Sequence, residues 1–117
     1  MNEDALDQLR TICLALPKAV EDTQGVGSPA FKVREKIFAM RHPANNRPSM
    51  WCKAPPGLQQ VLVDSEPERF FVPPYVGHRG WVGVWLDVEL DWAHIRDLVE
   101  DSYRMTAPKR LLRQSSL

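Results

Sequence analysis

The sequence predicts an α+β domain, a single antiparallel sheet with N- and C-terminal helices packed on it. Three observations carry that prediction. Apolar residues recur at helical spacing near both ends of the chain; the middle holds short β-type runs punctuated by Pro, Gly and Asn; and the order helix, strands, short helix, strands, helix suits one sheet covered by helices. At 117 residues, 44% apolar and 26% charged, the chain has ordinary globular composition. It is expected to form one domain over residues 1–117, with no room for a separate cofactor domain.

Leu6, Leu9, Cys13 and Leu16 fall at i, i+3, i+7 and i+10. That spacing predicts an amphipathic first helix, capped by Asp4 and ended by Pro17. Gly25, Gly27 and Pro29 give turn chemistry before the run 31–40, which reads as a hairpin with a two-residue turn at Arg34-Glu35. In that register Phe31 faces Phe38 and Val33 faces Lys36. Phe31, Val33, Phe38 and Met40 then share one face, with Lys32 and Arg41 on the other. After a loop at 43–48, residues 49–53 form another short strand. Pro55-Pro56-Gly57 breaks it, and Leu58, Val61 and Leu62 predict a short helix ending near Glu66-Pro67.

Phe70 to Tyr75 holds two adjacent prolines, so it is an edge or a crossing segment. Gly77 to Gly80 is a turn. Trp81 to Leu86 is the most strand-like run, with Trp81 and Trp85 on one face and Val82, Val84 and Leu86 on the other. A second long helix starts from the N-cap Asp91 and runs through Ile95, Leu98, Val99 and Ser102 to about Met105. Pro108 opens a last helical turn.

Fifteen basic residues balance fifteen acidic ones, so no global field draws the protein to nucleic acid or anionic lipid. The charge is nevertheless segregated. Residues 1–24 carry net −3, 32–53 net +5, 64–101 net −6 and 104–113 net +4. In the basic central segment Lys32, Arg34, Lys36, Arg41, Arg47 and Lys53 interleave with Phe38 and Trp51. This is the composition of a sheet or wing that faces nucleic acid, where cations hold phosphates and aromatics stack on bases. It is also that of solvated strand faces and loop tips.

Catalytic and metal motifs are sparse. His42, His78 and His94 are far apart and lack ligand spacing, so no metal is expected. Gly25-Val26-Gly27 is followed by Ser28-Pro29 rather than a helix, which favours a turn over a phosphate loop. Cys13 lies on the apolar stripe of the first helix; Cys52 adjoins Lys53, which could lower its pKa if exposed. No oriented base is visible for it, and no catalytic residue is assigned. Glu3, Asp4 and Asp7 could collect a hard cation, but compensation of the helix dipole accounts for them. Tyr75 and Trp81, with Lys53 nearby, could line a concave pocket for an anionic group. The two cysteines, the absence of a basic leader before an apolar run, and the lack of about 18 consecutive apolar residues make a cytoplasmic protein the expectation, with no membrane partner.

Residues 70–87, Phe-Phe-Val-Pro-Pro-Tyr-Val-Gly-His-Arg-Gly-Trp-Val-Gly-Val-Trp-Leu-Asp, strongly resemble the MmcQ/YjbR family of small bacterial proteins. Leu14-Ala15-Leu16-Pro17, Phe31-Lys32-Val33, Lys36-Ile37-Phe38, Lys53, Ser102-Tyr103-Arg104 and Ala107-Pro108-Lys109-Arg110-Leu111 add to the likeness, which extends from about Leu6 to Leu111. The resemblance implies a CyaY-like α+β fold, also described as a double-wing motif, and a DNA-binding role without an established catalytic set. Lys32, Lys36, Lys53, Tyr75 and Trp81 transfer as motif positions only. The turn Arg34-Glu35, in place of small residues, and the segment 42–48 depart from the family pattern.

The leading expectation is a non-enzymatic protein, without cofactor and monomeric, that contacts DNA phosphates through Lys32, Lys36, Arg47, Lys53 and Arg79. The alternative is a small-molecule or protein-binding module built on Tyr75, Trp81 and Lys53. A metal carrier, suggested by fold kinship, would need more of an acidic ridge than Glu3, Asp4 and Asp7 supply.

Overall fold

A computed structural model describes residues 2–23 and 28–113. The turn expected at Gly25 and Gly27 lies outside those residues. Helix α1 (Asn2–Leu14) buries Ala5, Leu9 and Cys13, with Leu16 just beyond it; the predicted stripe is buried except at Leu6, which is half-buried while Ala5 takes the first core position. Its ends differ from expectation. The helix begins at Asn2, which places Asp4 inside the first turn rather than at the cap, and it stops three residues before Pro17. Turns from Leu16 N–H to the Cys13 carbonyl and from Ala19 N–H to the Leu16 carbonyl complete the exit.

Strand β1 (Val20–Asp22) was not foreseen, because nothing in three partly exposed residues alternates. It exists through its partner, pairing antiparallel with β2 (Ala30–Val33), and through ion pairs of Glu21 with Arg10 and Asp22 with Lys32, each at 2.8 Å. From β2 the chain turns at Arg34 and Glu35, both at positive φ (51° and 70°), into β3 (Lys36–Arg41). That is the backbone a tight two-residue hairpin demands, held here without glycine.

Val33 pairs with Lys36 as expected, but Phe31 faces Ala39 rather than Phe38. Phe38 is the extra residue of a β-bulge, and one extra residue reverses the alternation that follows it. Phe38 and Ala39 therefore both join the helix-side core. Met40, expected beside Phe38, goes to the opposite face with Ala30, Trp51 and Trp81. Arg41, expected on the face of Lys32, instead pairs with Met50, a helix-side residue.

Strand β4 (Ser49–Cys52) pairs with β3 and with β6 (Val82–Trp85), and β5 (Phe70–Phe71) closes the far edge, giving the order β1-β2-β3-β4-β6-β5. The prolines after Phe71 explain why β5 is short and at the edge. Helix α2 (Leu58–Ser65) occupies the predicted place between β4 and β5. Helix α3 (Trp92–Thr106) starts at Asp91, whose carboxylate accepts from His94 N–H at 3.1 Å; α4 (Lys109–Arg113) follows Pro108. Among the described residues no helix is long and apolar enough to cross a membrane.

One face of the sheet packs against α1 and α3. There the Tyr103 ring meets Phe38 edge-on at 5.4 Å, and its hydroxyl donates to the Pro17 carbonyl at 2.7 Å. Ser102 is a polar residue driven fully into this side of α3. Its hydroxyl donates to the carbonyl of the bulged Phe38 and accepts from Lys53 N–H at 2.9 Å. A bulge leaves backbone groups without ladder partners, and Ser102 satisfies one while fixing where β4 ends.

Candidate anion-binding cavity

Among the described residues, the cluster on the other face of the sheet holds no helical residue. Trp51, Trp81, Met40 and Ala30 form a small cluster there, and beside it opens a cavity of about 710 Å³. Its lining comes from four places in the chain. Glu35, Lys36, Ile37 and Met40 come from the hairpin, Lys53 from the residue after β4, Val76, Arg79 and Trp81 from the segment before β6, and Met105 from the end of α3. Ile37, Met40, Val76, Trp81 and Met105 supply apolar surface. Three cations stand against one carboxylate around it.

Local structure explains how Arg79 arrives. Residues Gly77–Arg79 form a 3₁₀ turn, ended by Gly80 at φ 87°, a conformation that glycine adopts without steric cost. At Gly77 a side chain would meet Val72 Cγ1 at 2.4 Å. From the first turn of α2, Gln59 Nε2 donates to the carbonyls of Gly77 (2.7 Å) and Trp81 (2.6 Å), bracketing the turn that carries Arg79. No motif in the sequence marks Gln59, and the match at Ser102-Tyr103-Arg104 gives Ser102 no positioning role. Their roles depend on contacts with residues 18 to 64 positions away.

The cations near the cavity repel one another. Burial, then the positive charges of Lys36 and Arg79, hold the Lys53 ammonium below the ordinary lysine range. An anion in the cavity relieves that repulsion, which is the electrostatic definition of an anion site.

The five cations expected at DNA divide into two groups. Lys36, Lys53 and Arg79 converge here, and among the described residues none of them forms an ion pair. Lys32 is held by Asp22 on the β1 side. Arg47 grips both oxygens of Asp87 at 2.8 and 2.7 Å and lies 3.9 Å over the Trp85 ring, which in turn stacks on Phe71. The expected pocket set also changes by one residue. Trp81 and Lys53 line the cavity, but Tyr75 does not: it sits at φ 69° and is 88% exposed, and its neighbour Val76 takes the lining position.

The remaining chemical candidates close off. Cys52 is buried beneath α3, and burial with the nearby Asp101 charge pushes its thiol up to about 12, so Lys53 does not activate it. Burial raises the Cys13 thiol as well. Among the described residues no group of His, Cys, Asp and Glu has the arrangement of a metal site. The Glu3 side chain lies outside the described residues, and Asp7 is engaged by Arg10 at 3.1 Å.

A family model named YjbR matches residues 14–105. The chain belongs to the YjbR family. Among solved structures, a Deinococcus radiodurans protein with a DUF419 domain superposes with a TM-score of 0.74 at 22% identity, over 86% of this chain and 76% of that one. A Pseudomonas syringae protein superposes with a TM-score of 0.58 at 16% identity, over 89% of this chain and 97% of that one. At those identities the YjbR likeness fixes the α+β fold and carries no assignment of function. Among curated proteins, none matches significantly.

Proposed function

We propose that this YjbR-family chain is a non-enzymatic binding protein whose cavity receives the anionic group of a small organic molecule. The convergence of Lys36, Lys53 and Arg79 on one concavity floored by Trp81, Met40 and Ile37 carries the reading. About 710 Å³ is ligand-sized, since small-molecule sites run from about 300 to 1,000 Å³. Cations supply attraction and the apolar floor supplies desolvated area, so the preferred ligand bears a phosphate or carboxylate on an apolar or planar body.

Calorimetric titration with a panel of aromatic and aliphatic phosphates and carboxylates tests this. Saturable binding that weakens at least about tenfold in K36A/R79A is expected, on the scale of removing two charge-assisted contacts. Binding equal in the wild type and the double variant would remove the cavity from consideration.

DNA is the second reading, favoured by exposed Arg34 and Lys36 at the hairpin tip next to Lys53 and Arg79. Anisotropy of a labelled duplex at two salt concentrations separates the readings. Contact with phosphates gives a log–log salt slope of about −0.9 per contact; a small-anion site gives no duplex binding and keeps its organic ligand.

A further inference from the structure

We infer that Lys53 is a nucleophilic amine that forms a reversible imine with a small aldehyde or oxo acid whose anionic group rests between Lys36 and Arg79. The inference deepens the small-anion reading and rests on it.

Two lysines line the cavity, and they are held differently. Lys36 is exposed on the hairpin tip. Lys53 is half-buried and follows the fully buried Cys52; its backbone N–H is tied to the Ser102 hydroxyl at 2.9 Å. Its amine therefore extends from a fixed base into a cavity with an apolar floor. A lysine attacks carbonyls only as the free amine, and desolvation beside other cations is the general way proteins raise that fraction. Lys53 has both: burial, and repulsion from Lys36 and Arg79. The charged groups lining the cavity with it are Lys36 and Glu35 from the hairpin and Arg79 from the 3₁₀ turn; α3 contributes the uncharged Met105.

The chemistry balances without an oxidant or reductant. The Lys53 nitrogen lone pair forms a bond to the carbonyl carbon, and the carbonyl π pair moves to oxygen. A proton passes from nitrogen to that oxygen through water, giving a carbinolamine. The nitrogen lone pair then forms the C=N bond as the C–O bond breaks. The oxygen takes the proton that nitrogen still carries, through water, and leaves as water, so the neutral imine remains and hydrolysis reverses each step. The two cations that weaken the ammonium also hold the carboxylate of an oxo acid; burial, the larger cause of the lowering, stays in place when that carboxylate offsets their repulsion.

The test is incubation of the full chain with glyoxylate and sodium cyanoborohydride, which traps an imine by delivering hydride to its carbon, followed by peptide mapping. Phosphate binding to the untreated protein is followed in parallel by tryptophan fluorescence. One adduct, concentrated on Lys53, is expected, formed measurably faster than on exposed Lys18 or Lys109 because burial and the neighbouring cations favour the free amine. Phosphate should slow it, K53R should form none at this position, and K36M should move the pH profile of labelling upward. Equal labelling of all five lysines with phosphate still bound overturns the imine and leaves the anion site standing. Neither selective labelling nor phosphate binding overturns both.

Discussion

The face of the sheet under the helices and the face that carries the cavity are made by the same strands, yet they are closed by different means. Under α1 and α3 the strands and helices share one buried cluster, and Phe31, Phe38, Leu9, Ile95 and Tyr103 are all but inaccessible. On the other face four buried residues form a smaller cluster with Ile37, Ala44, Phe71 and Val76, and among the described residues no helical residue belongs to it. Helices present continuous apolar stripes that seal a sheet. Loops carry polar backbone that must reach water, so they cover incompletely. The gap they leave is where unpaired cations gather. Stability is concentrated on one side of the sheet, and recognition has room on the other.

The largest test of that division is Phe38→Ala. Phe38 is fully buried, packs on Tyr103, and occupies the bulge. Removing a buried aromatic ring typically costs about 3–5 kcal/mol. Chemical denaturation should show a loss of that order, while the fraction that remains folded binds anions as the wild type does. A loss of anion affinity in that folded fraction would mean that the two faces are coupled through the bulge.

The same division explains what could be read from the sequence. Elements whose signal lies in their own residues were legible: α3 with its Asp91 cap, α2 after Pro55-Pro56-Gly57, β6, and the edge position forced on β5 by proline. β1 was not, because its three residues form a strand only against β2. The bulge at Phe38 was also hidden; alternation predicts Met40 on the helix side, and only the observed register sends it to the cavity. For the site, the basic segment points to Lys36 and Lys53, the aromatic run to Trp81, and the family resemblance to all three, while Arg79 enters from the turn at Gly77 to Gly80. That Lys32 and Arg47 are occupied by Asp22 and Asp87 depends on pairings 10 and 40 residues apart, which charge counting cannot see. Tyr75 was misplaced because a positive φ after two prolines turns it to solvent and brings Val76 inward.

Gln59→Leu probes the loop-covered face with a smaller expected effect. It removes both donations that bracket the Arg79 turn. Two hydrogen bonds of ordinary net worth imply a loss of about 1–3 kcal/mol. Unlike Phe38→Ala, this variant should lower anion affinity in the folded protein, since Arg79 loses its fixed approach. Stability loss with unchanged affinity would assign Gln59 to the fold alone.

The smallest effect expected has the opposite sign. The Lys53 ammonium is disfavoured in the folded chain by burial and by Lys36 and Arg79, so its folded-state pKa lies below its unfolded value. At a pH below both values the residue is charged in both states, and the folded state carries the whole penalty. Between the two values the unfolded chain binds more protons, so stability rises with pH until both states are neutral and the penalty is gone. Lys53→Met keeps an apolar stem over the cavity floor and deletes the charge. It should therefore be slightly more stable than the wild type at neutral pH, with the gap closing as pH rises toward the free lysine value of about 10.4. Urea denaturation of both proteins across that range checks the sign. A wild type more stable than the variant at neutral pH would mean that the Lys53 charge supports the fold, and the contrast between a face built for stability and a face that gives some up for binding would fail where it is most specific.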